Sequence, residues 1–213
     1  MEPQTGLGPS LPKMNLHLGC YNRPTVGWYN TDISMQIRLS RVPFGPRSAH
    51  KLGLISDSQL ADHDTGIWKS VKHLDVSKRF PFADQSVDAV FSSHVFEHLV
   101  DPVARNMLRE CARILKPTGV FRIVIPDLDQ VIAEYDSSQP DVTMKRIFET
   151  QQRSKDRHWW MYNTNSLEQM LLSNGFQQTV RCSYLYGSCP DLNLVDNRPE
   201  ESIFMEAFVQ SGR

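Results

Sequence analysis

The sequence predicts an α/β protein built on a mainly parallel sheet, and three observations carry that prediction. Short apolar stretches alternate along the chain with stretches of helical period, the pattern of successive βαβ units with helices on both sheet faces. The last two apolar stretches, Val180 to Tyr186 and Ile203 to Val209, are joined by a loop alone, so they form an antiparallel edge. Polar residues gather where strands end, and in an open α/β sheet ligands sit outside the carboxyl ends of the strands.

The elements follow in order. Residues 1–13 are rich in proline and glycine and are expected as a flexible arm, with 14–213 forming a single domain. Asn15 to Leu18 reads as the first strand and Tyr29 to Ile33 as the second. About ten residues separate them, whereas a crossover with its helix needs at least ~10–12. The first crossover helix is therefore shortened or missing; a β-hairpin turning near Arg23-Pro24-Thr25 is the competing reading. A sheet face left bare would be covered by the arm, by Arg38 to Lys69 or by a second subunit.

Arg38 to Lys69 is irregular, with a helix expected around Ser56 to His63. Val71 to Leu74 reads as the third strand, ending at Asp75. Asp88 to Phe91 is a buried strand that ends in Ser92 and Ser93. Asp101 to Leu115 is the clearest helix: Asp101 can cap it, Pro102 fits its first position, and Val103, Met107, Leu108, Cys111, Ile114 and Leu115 recur at helical spacing. Pro117 and Gly119 end it. Val120 to Ile125 is a buried strand stopped by Pro126. Helices follow around Leu128 to Tyr135 and around Met144 to Phe148. Asn165, with Glu168 three residues on, resembles a capping box; Leu167, Met170 and Leu171 face the core and Gly175 closes the helix.

At 213 residues the chain has the length of one domain and can bury a core without disulfides or metals. A net charge of −1 gives no global attraction to nucleic acid or an anionic membrane. Cys20, Cys111, Cys182 and Cys189 form no C-x-x-C pair, and with no charged-then-apolar leader they point to a reducing, cytoplasmic setting. No apolar run approaches ~18 residues, so no membrane span is expected.

The segment FPFADQSVDAVFSSHVFEHL, Phe80 to Leu99, together with RECARILKPTGVFRIVIPD, Arg109 to Asp127, resembles the class I S-adenosylmethionine-dependent methyltransferases, most closely the small type 11 branch. The matching pattern is Asp88, Val90, Val95, Glu97, His98 and Leu99, then Leu115, Lys116, Pro117, Thr118 and Gly119. MNLHLGC at Met14 to Cys20 and GWYNTDIS at Gly27 to Ser34 resemble the first two strands of that family. The resemblance runs from about Met14 to Phe176. It implies a Rossmann-like, seven-stranded sheet and S-adenosylmethionine as cofactor.

It also implies a site. Gly19 and Cys20 would lie beside the methionine part of the cofactor, Asp32 and Ile33 by the ribose, Asp75 and Val76 by the adenine, and Ser93 and His94 against the cofactor from the fourth strand. One departure stands out: the family has G-x-G where this chain has Gly19-Cys20-Tyr21. Either the loop takes another path or the pocket is altered.

Asp127, after the fifth strand, and His98, beyond the fourth, are the catalytic candidates for accepting a proton. His94 and His158 are further bases. Of the adjacent Trp159 and Trp160, one is expected to pack and the other to line a substrate opening or an interface. His63, Asp64, His73 and Asp75 lack metal-ligand spacing, so no metal is expected. The acceptor implied is a small molecule or glycan-like compound, with its pocket built by Arg38 to Lys69, Trp159 to Asn163 and Gly187 to Pro199. A homodimer is compatible with the thin first crossover. Two other readings stand beside this one: a catalytically degraded scaffold on the same fold, and a nucleotide- or sugar-nucleotide-binding enzyme.

Overall fold

A computed structural model describes residues 13–148 and 157–210. Lys13 is exposed; the rest of the arm expected over 1–13 lies outside the described residues, as does most of the polar run after Phe148.

Seven strands form one sheet: β1 Asn15–Leu18, β2 Tyr29–Asp32, β3 Lys72–His73, β4 Val87–Ser93, β5 Leu115–Pro126, β6 Gln178–Cys182 and β7 Ser202–Phe208. Their order is β3-β2-β1-β4-β5-β7-β6. Strands β3 through β5 are mutually parallel, and β7 runs antiparallel to both β5 and β6. Strands β1 and β2 pair in parallel, Leu16 opposite Tyr29, which rules out the hairpin. No helix joins them, as the short spacing requires.

Between β2 and β3 lie three short helices, α1 Met35–Leu39, α2 Gly45–Lys51 and α3 Asp57–Asp64. Of these the sequence reading expects only α3; its cap is Ser56, which accepts from Gln59 N while Gln59 Oε1 accepts from Ser56 N. Trp68 is fully buried behind them with Cys20, Ile37 and Val71.

The other helices are α4 Asp101–Ile114, α5 Leu128–Ala133, α6 Pro140–Phe148, α7 Thr164–Leu172 and α8 Leu192–Val195. Helix α4 buries Ala104, Met107, Leu108, Cys111 and Ile114, and α7 adds Leu167, Met170 and Leu171 to the same core against Leu16, Leu18, Val90 and Phe121.

Several boundaries differ from the sequence expectation. Asp101 does not cap α4; it is the first helical residue and pairs with Arg105 one turn on, at 2.9 Å. Asn163, not Asn165, caps α7, accepting from Ser166 N while Ser166 Oγ accepts from Asn163 N. Strand β5 begins at Leu115, directly after α4, so Pro117 and Gly119 lie inside a strand whose start pairs with Val87 across a register shift. Strand β3 shrinks to two residues at the sheet edge, and β6 stops at Cys182.

The second face of the sheet is where the largest difference lies. It is covered by a loop, residues 183–197, carrying the short α8, rather than by long helices. Cys189 and Val195 from that loop pack with Trp28, Ala89, Phe91, Val124, Phe204 and Phe208. Trp28 Nε1 donates to Asp191 Oδ2 at 2.9 Å, tying the β1–β2 connection to the loop. The anchor is Arg122, fully buried on β5. Its Nε and one terminal nitrogen donate to the two oxygens of Asp196 at 2.7 and 2.5 Å, and the other nitrogen reaches Glu206 at 3.3 Å. Two backbone carbonyls, Ser183 and Tyr186, accept the remaining N–H groups. A buried guanidinium needs this degree of satisfaction, and bidentate carboxylate pairing supplies it.

Candidate functional site

The carboxyl ends of β3, β2, β1 and β4 lie side by side, so the residues that follow them share one edge. At β1, the N–H groups of Gly19 and Cys20 both donate to Thr31 O of β2, at 2.8 and 3.0 Å. Gly19 has φ +70°, and a Cβ there would stand 2.3 Å from Val95 Cγ2. Glycine is therefore required by the chain beyond β4, which crosses closely over the loop.

Tyr21 stands at the position of the second glycine. Its φ is +45°, the left-handed conformation that glycine adopts freely. Its ring turns away to meet Trp68 edge-on, with centroids 5.2 Å apart. Burial pushes the neighbouring Cys20 thiol up to about 12, with the Asp32 charge adding to the effect, so it stays a neutral packing group.

Asp32 accepts from Tyr21 N through Oδ2 at 2.9 Å and from Ser34 N through Oδ1 at 2.7 Å. The two bonds fix the carboxylate and leave each oxygen a further lone pair. Beside it, Ile33 and Met35 are exposed apolar side chains, 61% and 76% accessible. They line an open cleft of about 550 Å³ with Arg38, His73, Leu74, Asp75, Lys78 and Arg79. Asp75 accepts from Ser77 N and Ser77 Oγ at 3.0 and 2.7 Å. The Ser77 hydroxyl holds its carboxyl below the usual range, against a smaller opposing effect of burial. Val76 packs against the main core and its carbonyl accepts from Asn106 Nδ2.

At the β4 side, Ser93 Oγ donates to Asn197 Oδ1 at 2.9 Å, and His94 Nε2 lies 3.0 Å from Ser202 Oγ. Both are held by the segment leading into β7. His94 adopts φ +52°. It borders a small cleft of about 160 Å³ with Pro126, Val131, Lys145, Arg146, His158, Arg198 and Glu201. Asp127 caps α5, accepting from Asp129 N at 3.0 Å, and its Oδ2 faces Arg181 at 3.5 Å. His98 closes a 3₁₀ turn, Phe96–His98, and its Nδ1 lies 3.2 Å from Arg157 O.

Trp159 and Trp160 are both about half exposed, so neither packs as a core residue. Their N–H groups share Glu97 O, and they line a cleft of about 570 Å³ with Leu99, Val100, Arg105, Tyr162 and Met170. Glu97, which the sequence already marks in the polar stretch after the fourth strand, is fully buried among His94, His98 and His158. Sequence reading missed the two roles of the 183–197 loop, which commits most of its length to the sheet face and offers only Asn197 and its neighbours to the site.

Residues 55–123 match the family model of the methyltransferase domain. That stretch is similar to the family; it covers about a third of the chain. The chain shares the fold of a protein from Pyrococcus horikoshii OT3, at 15% identity and TM-score 0.52, over 92% of this chain and 82% of that one. It is likewise similar to a SAM-dependent methyltransferase, possible histamine N-methyltransferase, from Thermotoga maritima, at 16% identity and TM-score 0.50, over 94% and 84%. At these identities the likeness concerns the fold alone. The matched residues run from before α3 into β5. They include Asp75, Val76, Ser93, His94 and His98, whereas Gly19, Cys20, Asp32, Ile33 and Asp127 lie outside the matched stretch.

The residues present fit a nucleoside. Asp32 can accept from a ribose diol through its remaining lone pairs, and the exposed Ile33 and Met35 offer apolar contact for a base in the cleft that Asp75 borders.

Proposed function

We propose that this chain is a methyltransferase that uses S-adenosylmethionine to methylate a small-molecule or glycan-like acceptor, and that 14–213 act as one unit. The observation that carries the reading is the placement of Gly19, Asp32, Asp75 and Ser93–His94 at the carboxyl ends of four adjacent strands. Asp32 and Ile33 would hold the ribose, Asp75 and Val76 the adenine, Gly19 and Cys20 the amino-acid end, and Ser93 and His94 the β4 side. When bound, the cofactor supplies a methyl carbon activated by its sulfonium.

The chain's own residues then bind and align, because bringing nucleophile and carbon into line contributes much of the rate. A base is needed only for an acceptor that arrives protonated. His98 and Asp127 are the candidates: the two oxygens of Asp127 are engaged with Asp129 N and Arg181, and His98 Nδ1 faces Arg157 O. The degraded-scaffold alternative rests on Tyr21 in place of glycine and on the missing first helix, and no helix joins β1 to β2. Tyr21 keeps glycine's backbone conformation and turns its ring onto Trp68, which supports the enzyme. No helix among the described residues is long and apolar enough to cross a membrane. A cytoplasmic location and a homodimer remain part of the proposal.

Calorimetric titration with S-adenosylhomocysteine tests this reading. Wild type should bind, and Asp32→Ala should weaken binding at least about tenfold, the equivalent of losing ~1.4 kcal/mol. Absence of binding by a folded, monodisperse wild type would overturn it.

A further inference from the structure

We infer that Glu97, His98 and His158 form a binding site for a divalent transition-metal ion of the zinc class. One ligand atom from each residue can be chosen so that all three lie within 4.8 Å of one another. Tetrahedral zinc with bonds of ~2.1 Å holds its donor atoms about 3.4 Å apart. The set therefore needs each pair to close by at most about 1.4 Å, within reach of side-chain torsions.

Glu97 gives the independent sign of a ligand. It is 1% exposed, and neither carboxylate oxygen has a hydrogen-bond partner. A buried carboxylate without partners is costly, and buried charges are ordinarily paired or bound to metal. His94 Nδ1 lies 3.3 Å and His98 Nε2 4.0 Å from Glu97 Oε1, near enough for attraction, yet neither forms a hydrogen bond to it.

The two imidazoles are oriented for ligation. His98 Nδ1 faces Arg157 O and His158 Nδ1 faces Ile147 O, each at 3.2 Å. A carbonyl only accepts, so each contact places an N–H on Nδ1. That is the outer-shell arrangement by which proteins fix a metal-binding tautomer. Two imidazoles and one carboxylate suit zinc and its neighbours rather than calcium or magnesium. The site borders the cleft shared by His94 and His158 at the same sheet edge.

This inference stands apart from the methyl-transfer reading, because metal affinity is measured without cofactor or acceptor. An ion bound there takes up His98, which then no longer serves as a base. The test is zinc titration of the full chain, stripped with chelator, against a chromophoric indicator, with metal counted after desalting. One zinc per chain is expected. Glu97→Gln and His158→Ala should each weaken binding at least about tenfold, and His50→Ala, whose ring pairs with Asp57, should leave it unchanged. Cobalt bound in place of zinc should give visible d–d bands that His158→Ala abolishes. Should Glu97→Gln fail to fold, His158→Ala decides, since His158 lies outside every strand and helix. A folded wild type that retains no zinc, or zinc binding that survives the His158 substitution, would overturn the inference.

Discussion

Gly19→Ala offers the sharpest probe of how the β1 loop meets the chain beyond β4. At φ +70° an alanine costs about 1–2 kcal/mol through its Cβ alone. That Cβ would also stand 2.3 Å from Val95 Cγ2, against an ordinary carbon contact of about 3.5–4.0 Å, so Val95 must move by more than an ångström. Overpacking of this kind costs about 1–3 kcal/mol, giving a total of roughly 2–5 kcal/mol for the single variant. Val95→Ala, at a half-buried position, should cost about 1 kcal/mol by lost burial. If the two sites were independent, their effects would add. Because the methyl that clashes is the one Val95→Ala removes, the double variant should retain only the backbone cost and the lost burial, about 2–3 kcal/mol. Urea unfolding followed by far-ultraviolet circular dichroism gives the four stabilities, and a coupling of about 1–3 kcal/mol is expected. Additivity within about 0.5 kcal/mol would refute the argument, since Val95 could not then lie over Gly19.

Arg122→Met should destabilise the chain by about 3–5 kcal/mol in the same assay, because it leaves Asp196 and Glu206 as buried, uncompensated carboxylates; a loss under 1 kcal/mol would count against the buried cluster. The pH dependence of stability should carry the mark of His17. Burial lowers its pKa from 6.5 to about 4, so as pH falls through 6.5 the unfolded chain takes up the proton first. Its stabilising effect is complete above pH 7, and about 2 kcal/mol of it should be lost between pH 7 and pH 5. His17→Gln should flatten the profile over that interval, and an unchanged profile would mean the imidazole is not kept neutral by burial.

The sequence alone determined the features that rest on local chemistry. Strand ends at Leu18 and Ser93 were legible because the apolar stretches stop at glycine or serine, whereas the second strand, expected to reach Ile33, ends at Asp32. The missing first helix followed from chain length, since ten residues joining Leu18 to Tyr29 leave no room for a helical crossover. The α4 face was visible in the spacing of Met107, Leu108, Cys111 and Ile114.

Caps were legible only to within two residues, because Asn163 and Asn165 offer the same chemistry and only backbone geometry chooses between them. Tertiary structure decided what distant residues do to one another. The guanidinium of Arg122 sits within an otherwise apolar strand run, and its partners lie 74 and 84 residues further on. The loop over the second sheet face, which the sequence reading expects as an acceptor loop, buries its own Cys189, Val195 and Asp196. Glu97 and His98 are neighbours in sequence, but His158 joins them only because the chain after α6 returns to the turn following β4. Such groupings have no period and no fixed spacing, since burial and charge compensation act across space and are settled only when the sheet is assembled.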